Sequence, residues 1–324
     1  MRPGHGAPSL ATIALAAALL SQAGGCSHAV DGGGGGDLFA GGGAAWPMPN
    51  PPATGLPNPQ AYDLTGTPGV VLDLVTGLAW QRDVDPHSLL WPQANDRCAA
   101  LALGGHDDWR LPTLIEMVSL VDFSRREPAI DGAAFPGAPG GPYWTATPFA
   151  GSASESWYLA FSTGFSYHGH EDLLAIRMRC VRRARAPAGA IPAGGARTLF
   201  PAPGLVHDAY TRLTWQRAVD AVTPDWAGAL DRCRAAALPG TGWRLPSMKE
   251  LQTIIDVNRS LPAIDPAAFP DMPFDQYWTS SPLATSGSEA GVGEAWVPPR
   301  PRAGHGLGGS EATTGASRRV ISRP

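Results

Sequence analysis

Lysine is all but missing from this 324-residue chain: Lys249 is the only one, and arginine supplies the rest of the positive charge. Charged residues make up 16% of the sequence, with a formal net charge of −4. A strong basic patch of the kind that holds nucleic acid is therefore not expected. The sequence also lacks an apolar run long enough to span a bilayer. Residues 9 to 20, after Arg2, come nearest, and their length suits the h-region of a signal peptide rather than a membrane helix. The glycine run from Gly32 to Gly36 has no Gly-X-Y period, which excludes a collagen-like triple helix.

What is present is an internal repeat. Trp109-Arg110-Leu111-Pro112-Thr113 returns as Trp243-Arg244-Leu245-Pro246-Ser247, and in both copies a Glu follows the hydroxyl residue by three places, Glu116 and Glu250. That spacing is a capping box, so each copy marks a helix start. Leu114, Met117, Val118 and Val121 in the first copy, and Met248, Leu251, Ile254 and Ile255 in the second, have the spacing of one apolar helix face. Each helix is expected to face a core, and the chain length has room for about two domains.

The apolar run ends at Ala23-Gly24-Gly25-Cys26, where small residues before a cysteine resemble a bacterial lipobox, with Ala23 where Leu is preferred. The expectation is a signal peptide over residues 1–25 and lipidation of Cys26, with a plain secretory signal as the alternative. Either places the mature protein outside the cytoplasm. Residues 26–58 are rich in Gly and Pro and are expected to act as a tether. A first domain then covers 59–183, a linker 184–199, and a second, partly degenerate domain 200–324.

Within the first domain, Val70-Val71-Leu72-Asp73 and Leu78-Ala79-Trp80-Gln81 read as strands around a turn at Thr76-Gly77. Ala94, Cys98 and Leu101 have helical spacing after Pro92, which predicts a helix ending near Gly104-Gly105. Trp157, Leu159 and Phe161 alternate as in a strand. So do Ile176, Met178 and Cys180, whose opposite face carries Arg177 and Arg179. In an exported protein Cys98 and Cys180 can pair across a loop of roughly 80 residues, a closure on the order of 4 to 5 kcal/mol before native strain is subtracted. In the second domain Cys233 matches Cys98, but Arg319 stands where Cys180 would be. Cys233 is thus expected to lack a partner and to pack as a buried thiol or act as a reactive one. With Cys26 assigned to a lipid, no metal-ligand pair of cysteines remains. Pro298, Pro299 and Pro301, in a Gly- and Ser-rich stretch, predict a frayed end to the second domain's sheet.

Thr76 to Gln81, Trp91 to Cys98, Trp109 to Glu116, Tyr143 to Thr145 and Arg179 to Val181 together resemble the Lcl C-terminal-like domain family of bacterial exported proteins, named for a collagen-like adhesin. The resemblance covers the first copy throughout and the second to about Thr279. It implies α+β domains, two in tandem, each with two helices packed on a small irregular antiparallel sheet. Arg-Leu-Pro-Thr and the general layout also look like the C-type-lectin-like fold that formylglycine-generating domains share. Surface attachment or glycan binding follows as the implied function, with no cofactor. The calcium-site triplets of C-type lectins are absent, so calcium-dependent sugar binding is not expected. The family adhesin's sulfated glycans are not carried over either. Residues 59–183 hold nine Arg, no Lys and fourteen Asp or Glu, a balance that does not attract polyanions.

Trp80, Trp109 and Trp144 stand in repeated motif positions and are expected in the core. The candidate ligand-binding residues lie where the copies differ: Trp157, Tyr158, Phe165, Tyr167, His168, His170, Glu171 and Asp172. Aromatic faces there can stack on sugar rings. The alternative reading is an enzyme with an acid–base or metal site in the 165–173 loop, built from His168, His170, Glu171 and Asp172. A third is a structural envelope protein whose repeats bind each other. Arg110 and Arg244 are expected to pair with motif acids such as Asp122 and Asp256. The reading as a whole is a non-enzymatic, lipid-anchored envelope protein that binds a surface glycan or protein.

Overall fold

The computed structural model describes residues 27–29, 48–184, 199–208, 211, 213–219, 224–259, 263–270 and 277–281. In chain order the strands and helices are β1 (Ser27–Ala29), β2 (Tyr62–Asp63), β3 (Val70–Asp73), β4 (Leu78–Gln81), α1 (Trp91–Ala99), α2 (Leu114–Ser119), β5 (Pro142–Pro148), β6 (Glu155–Ala160), β7 (Phe165–His170), β8 (Val181–Arg183), β9 (Leu199–Ala202), β10 (Leu205–Asp208), β11 (Leu213–Gln216), α3 (Trp226–Arg234) and α4 (Met248–Thr253). The architecture is α+β with small antiparallel sheets. Among the described residues no helix is long and apolar enough to cross a membrane.

The capping boxes form as the spacing predicts. Glu116 N–H donates to Thr113 Oγ1 while Thr113 N–H donates to Glu116 Oε2 at 2.7 Å. Ser247 and Glu250 repeat this in the second copy. The glutamate does a second job. Arg110 donates both terminal nitrogens to the Glu116 carboxylate at 2.8 and 2.7 Å, and Arg244 does the same to Glu250. Asp122 and Asp256 pair instead with Arg125 and Arg259 three residues on. The expected arginine partners were therefore the wrong acids, because Glu116 and Glu250 already lie beside the cap, within reach of the preceding arginine.

Each capped helix covers a core. In the first domain Met117, Val118 and Val121 pack with Val71, Leu78, Trp80, Phe123, Phe135, Tyr143 and Leu159. A second cluster beside α1 holds Trp109, Leu111, Trp144, Ile176, Met178 and the Cys98–Cys180 disulfide. The second domain repeats both clusters, Trp215, Leu251, Ile254 and Phe269 in one and Cys233, Trp243 and Leu245 in the other. Even single hydrogen bonds recur. Trp91 Nε1 donates to Thr145 O as Trp226 Nε1 does to Thr279 O, and Leu114 N to Thr147 Oγ1 as Met248 N does to Ser281 Oγ.

The two domains touch through α2 and α4. Met248 joins the first domain's core, and Lys249 extends Nζ to Ser119 O at 2.8 Å and Pro49 O at 2.6 Å. Lys249 is only 1% exposed, and burial pulls its ammonium down to about 7.

Several expectations change. α1 stops at Ala99, not near Gly104-Gly105, with Ala100 as its C-cap. The 176–181 segment is a series of single bridges, Ile176 to Leu89 and Arg177 to Tyr143, before β8 begins at Val181. Its arginine side is not uniformly solvated. Arg179 is fully buried, its guanidinium 4.6 Å from the Phe135 ring centroid and its Nη1 donating to Gln81 O and Arg82 O. The 26–58 tether is folded at both ends: β1 pairs with β11, and Met48 and Asn50 are buried against the first domain. Cys233 is disulfide-bonded, not a lone thiol. The Gly32–Gly36 run, Arg319 and the proline-rich stretch at 298–301 lie outside the described residues.

Candidate functional site

The late sheet of the first domain runs β5-β6-β7. Residues 165 to 170, expected as loop, are strand β7, joined to β6 by a turn at Thr163-Gly164 where Gly164 has φ +79. Leu159 fixes which side faces inward, since it is buried in the core under α2. Register then decides which candidates meet. Trp157 lies opposite His168, Tyr158 opposite Tyr167, and Glu155 opposite His170. Because side chains alternate along a strand, the six candidates on β6 and β7 divide between two faces, and the eight do not form one site.

On one face Phe149 stacks on His168, centroids 3.8 Å apart and planes 4° apart, while Trp157 meets both edge-on at 5.4 and 5.8 Å. Glu155 sits at the end of this cluster, its Oε2 2.5 Å from His168 Nδ1 and its Oε1 3.8 Å from His170 Nε2. His168 keeps about a third of its side chain exposed, 35%, and His170 52%. The indole Nε1 of Trp157 is buried and has no hydrogen-bond partner among the described residues. Just beyond the strand end, Leu173 is 75% exposed. The result is a partly exposed cluster of three rings, Phe149, Trp157 and His168, with the Glu155 carboxylate and the His170 imidazole beside it.

On the other face Tyr158 stacks on Tyr167, 5.5 Å and 23°, and meets Trp144 edge-on at 5.9 Å. Burial, with the neighbouring Tyr167, raises the Tyr158 phenol above its ordinary value. Glu171 turns to this side and accepts from Ser156 Oγ at 2.6 Å, and its carbonyl accepts from Trp91 N at the start of α1. Asp172 is exposed beyond the strand, and Phe165 packs on the main core.

The proposed grouping of His168 and His170 with Glu171 and Asp172 is therefore not what forms. The carboxylate beside the imidazoles is Glu155, brought by strand pairing from thirteen residues away from His168. Phe149 and Glu155 were missed in the sequence reading. The signal that could have found Glu155 was the even spacing of Glu155, Trp157 and Leu159, which puts the glutamate on the tryptophan's face; no local pattern marks Phe149. Among the described residues no group of three or more His, Cys, Asp or Glu side chains is arranged to hold a metal ion. Trp80, Trp109 and Trp144 are buried. A separate hollow of about 230 Å³ lies against the opening hairpin, lined by Asp63, Thr67, His106, Trp109 and Arg182. Its arginine is held by Asp108 at 2.6 Å.

Two copies of one α+β unit, each built on a capped Trp-Arg-Leu-Pro helix start and braced by a disulfide-bonded cysteine on its first helix, define a tandem domain protein. The Lcl C-terminal domain family matches residues 69–182 and again 204–309, and the chain belongs to that family. No curated protein matches the chain.

Proposed function

We propose that this is an exported, non-enzymatic surface protein of adhesin type that binds a neutral glycan on the Phe149–Trp157–His168 face. The observation that carries the reading is that cluster itself. Three ring systems meet at a partly exposed position on the sheet, with Glu155 and His170 beside them to accept and donate hydrogen bonds. Sugar rings present C–H faces that stack on aromatic rings, and their hydroxyls suit a carboxylate and imidazole rim. The acidic balance of the domain argues against a polyanion. Membership of a family of adhesin-like, non-catalytic domains supports the class. The N-terminal apolar run and the disulfides support export. A relationship to the C-type-lectin-like fold fits the mixed helices and short irregular strands.

One observation favours the enzyme alternative: Glu155 holds His168 as a carboxylate holds a general base. The rings around His168 in the described structure are Phe149 and Trp157, however, and neither is a nucleophile. The test is a glycan array probed with the exported full chain. Binding to neutral oligosaccharides that falls at least tenfold in Trp157→Ala supports the proposal. Binding indifferent to that change, or confined to sulfated glycans, refutes it.

A further inference from the structure

The sheet that opens each domain is closed differently in the two copies. In the first, β8 lies beside β4 with Val181 opposite Trp80, Arg182 opposite Ala79 and Arg183 opposite Leu78. In the second, β1 lies beside β11 with Ser27 opposite Trp215, His28 opposite Thr214 and Ala29 opposite Leu213. Trp80 and Trp215 are the same motif position, as are Leu78 and Leu213. Ser27–Ala29 is therefore the counterpart of Val181–Arg183, antiparallel and in the same register. The second domain takes its closing strand from the chain's N-terminal region, across the whole of the first domain.

Register has a chemical corollary. The residue before Val181 is Cys180, bonded to Cys98 on α1. The residue before Ser27 is Cys26. On α3, Cys233 stands seven residues after Trp226, as Cys98 does after Trp91, and it too is buried and disulfide-bonded. The sequence has four cysteines; among the described residues none is free, Cys98 and Cys180 are joined to each other, and Cys26 is the one cysteine left in the sequence.

We propose that Cys26 forms a disulfide with Cys233, locking the donated N-terminal strand onto the second domain, and that the Cys26 sulfur is consequently not the site of a lipid anchor. Lipidation would convert the same sulfur to a thioether, so the two fates exclude each other. The balance of the step is ordinary thiol–disulfide exchange. Two thiols give up two protons and two electrons to an incoming disulfide of the oxidising compartment, which leaves as a dithiol. Cleavage of the signal segment must then fall at or before Gly25, leaving Cys26 in the mature chain. The second domain also becomes complete only once the first residues exported have been joined by some of the last.

The test uses the exported full-length chain, alkylated without reductant, digested and mapped by mass spectrometry. The expected result is a linked peptide pair containing Cys26 and Cys233 that separates on reduction, alongside the Cys98–Cys180 pair. An alkylated Cys233, a diacylglyceryl group on Cys26, or Cys233 joined to any other cysteine overturns the proposal. A second arm uses Cys26→Ser, unfolded in denaturant without reductant. One alkylatable thiol per chain, at Cys233, is expected, and no alkylatable thiol overturns the pairing.

Discussion

Replacing Lys249 by methionine isolates the contact that joins the two domains. In the folded protein this ammonium is buried between α2 and α4, held by two carbonyl oxygens, with Asp73 and Asp122 drawing its proton affinity back up against the larger effect of burial. Its folded value of about 7 lies below the ordinary 10.5, so between those limits the unfolded chain binds a proton that the folded chain does not. Stability must therefore rise with pH across that window, and below about pH 7 the cost of the buried charge is present in full with no further slope. One proton of difference corresponds to about 1.4 kcal/mol per pH unit, which comes to about 3 kcal/mol between pH 7 and 9.5. Near the top of that range Tyr62, Tyr143 and Tyr158, raised by burial, bring opposing slopes, and Arg179, lowered to about 10, a rising one, so the comparison is read chiefly between pH 7 and 9. Thermal unfolding followed by circular dichroism at half-unit steps of pH reads the effect. The wild-type midpoint is expected to climb from pH 7 to 9 and the Lys249→Met midpoint to stay flat. A variant with the wild-type slope refutes the argument, and so does a wild-type protein whose midpoint does not move.

Other consequences are smaller in scope. Glu116→Ala removes both the reciprocal cap bond to Thr113 N and the two-pronged partner of Arg110, and is expected to cost about 2 kcal/mol in denaturant unfolding. Thr113→Ala, which loses only the weaker half of the box, is expected to cost about 1 kcal/mol. Equal losses for the two variants would show that the arginine pairing adds nothing. Gly164→Ala forces a side chain into a left-handed position where a Cβ would lie 2.7 Å from Val121 Cγ1 and 2.9 Å from Phe123 Cε1. A loss of about 1 to 3 kcal/mol is expected by the same measurement, and a neutral result would mean that the β6–β7 turn is not held against the core as described.

The features legible in the sequence were those whose cause is local. The capping boxes and the hairpin turned at Gly77 depend on residue types at fixed spacing, and each stands where the spacing put it; the Cys98–Cys180 pair, 82 residues apart, was legible from the cysteine count instead. The apolar periodicity around Met117 and Leu251 was equally direct, because one helix face must be dry. What the residues did not disclose were meetings set by register and docking. Glu155 reaches His168 only because β6 and β7 pair as they do. Lys249 is buried only because a second domain packs on the first. Arg179 reads as a solvent-facing charge until backbone carbonyls and the Phe135 ring are seen to replace water around it. Ser27–Ala29 follows a cysteine preceded by two glycines and has no strand signature of its own. It becomes a strand because β11 has an edge to fill.

The division of the late sheet into two faces carries the functional argument, and one comparison tests it most directly. Trp157→Ala and Tyr167→Ala alter neighbouring strands of the same sheet, one on the Phe149–His168 side and the other on the Tyr158 side. Each variant, checked for folding by near-ultraviolet circular dichroism, would be applied to the same array of neutral oligosaccharides as the wild type. Trp157→Ala is expected to lose at least tenfold in binding, with Tyr167→Ala within about twofold of the wild type. Loss on Tyr167→Ala with binding preserved in Trp157→Ala would contradict the assignment of the site.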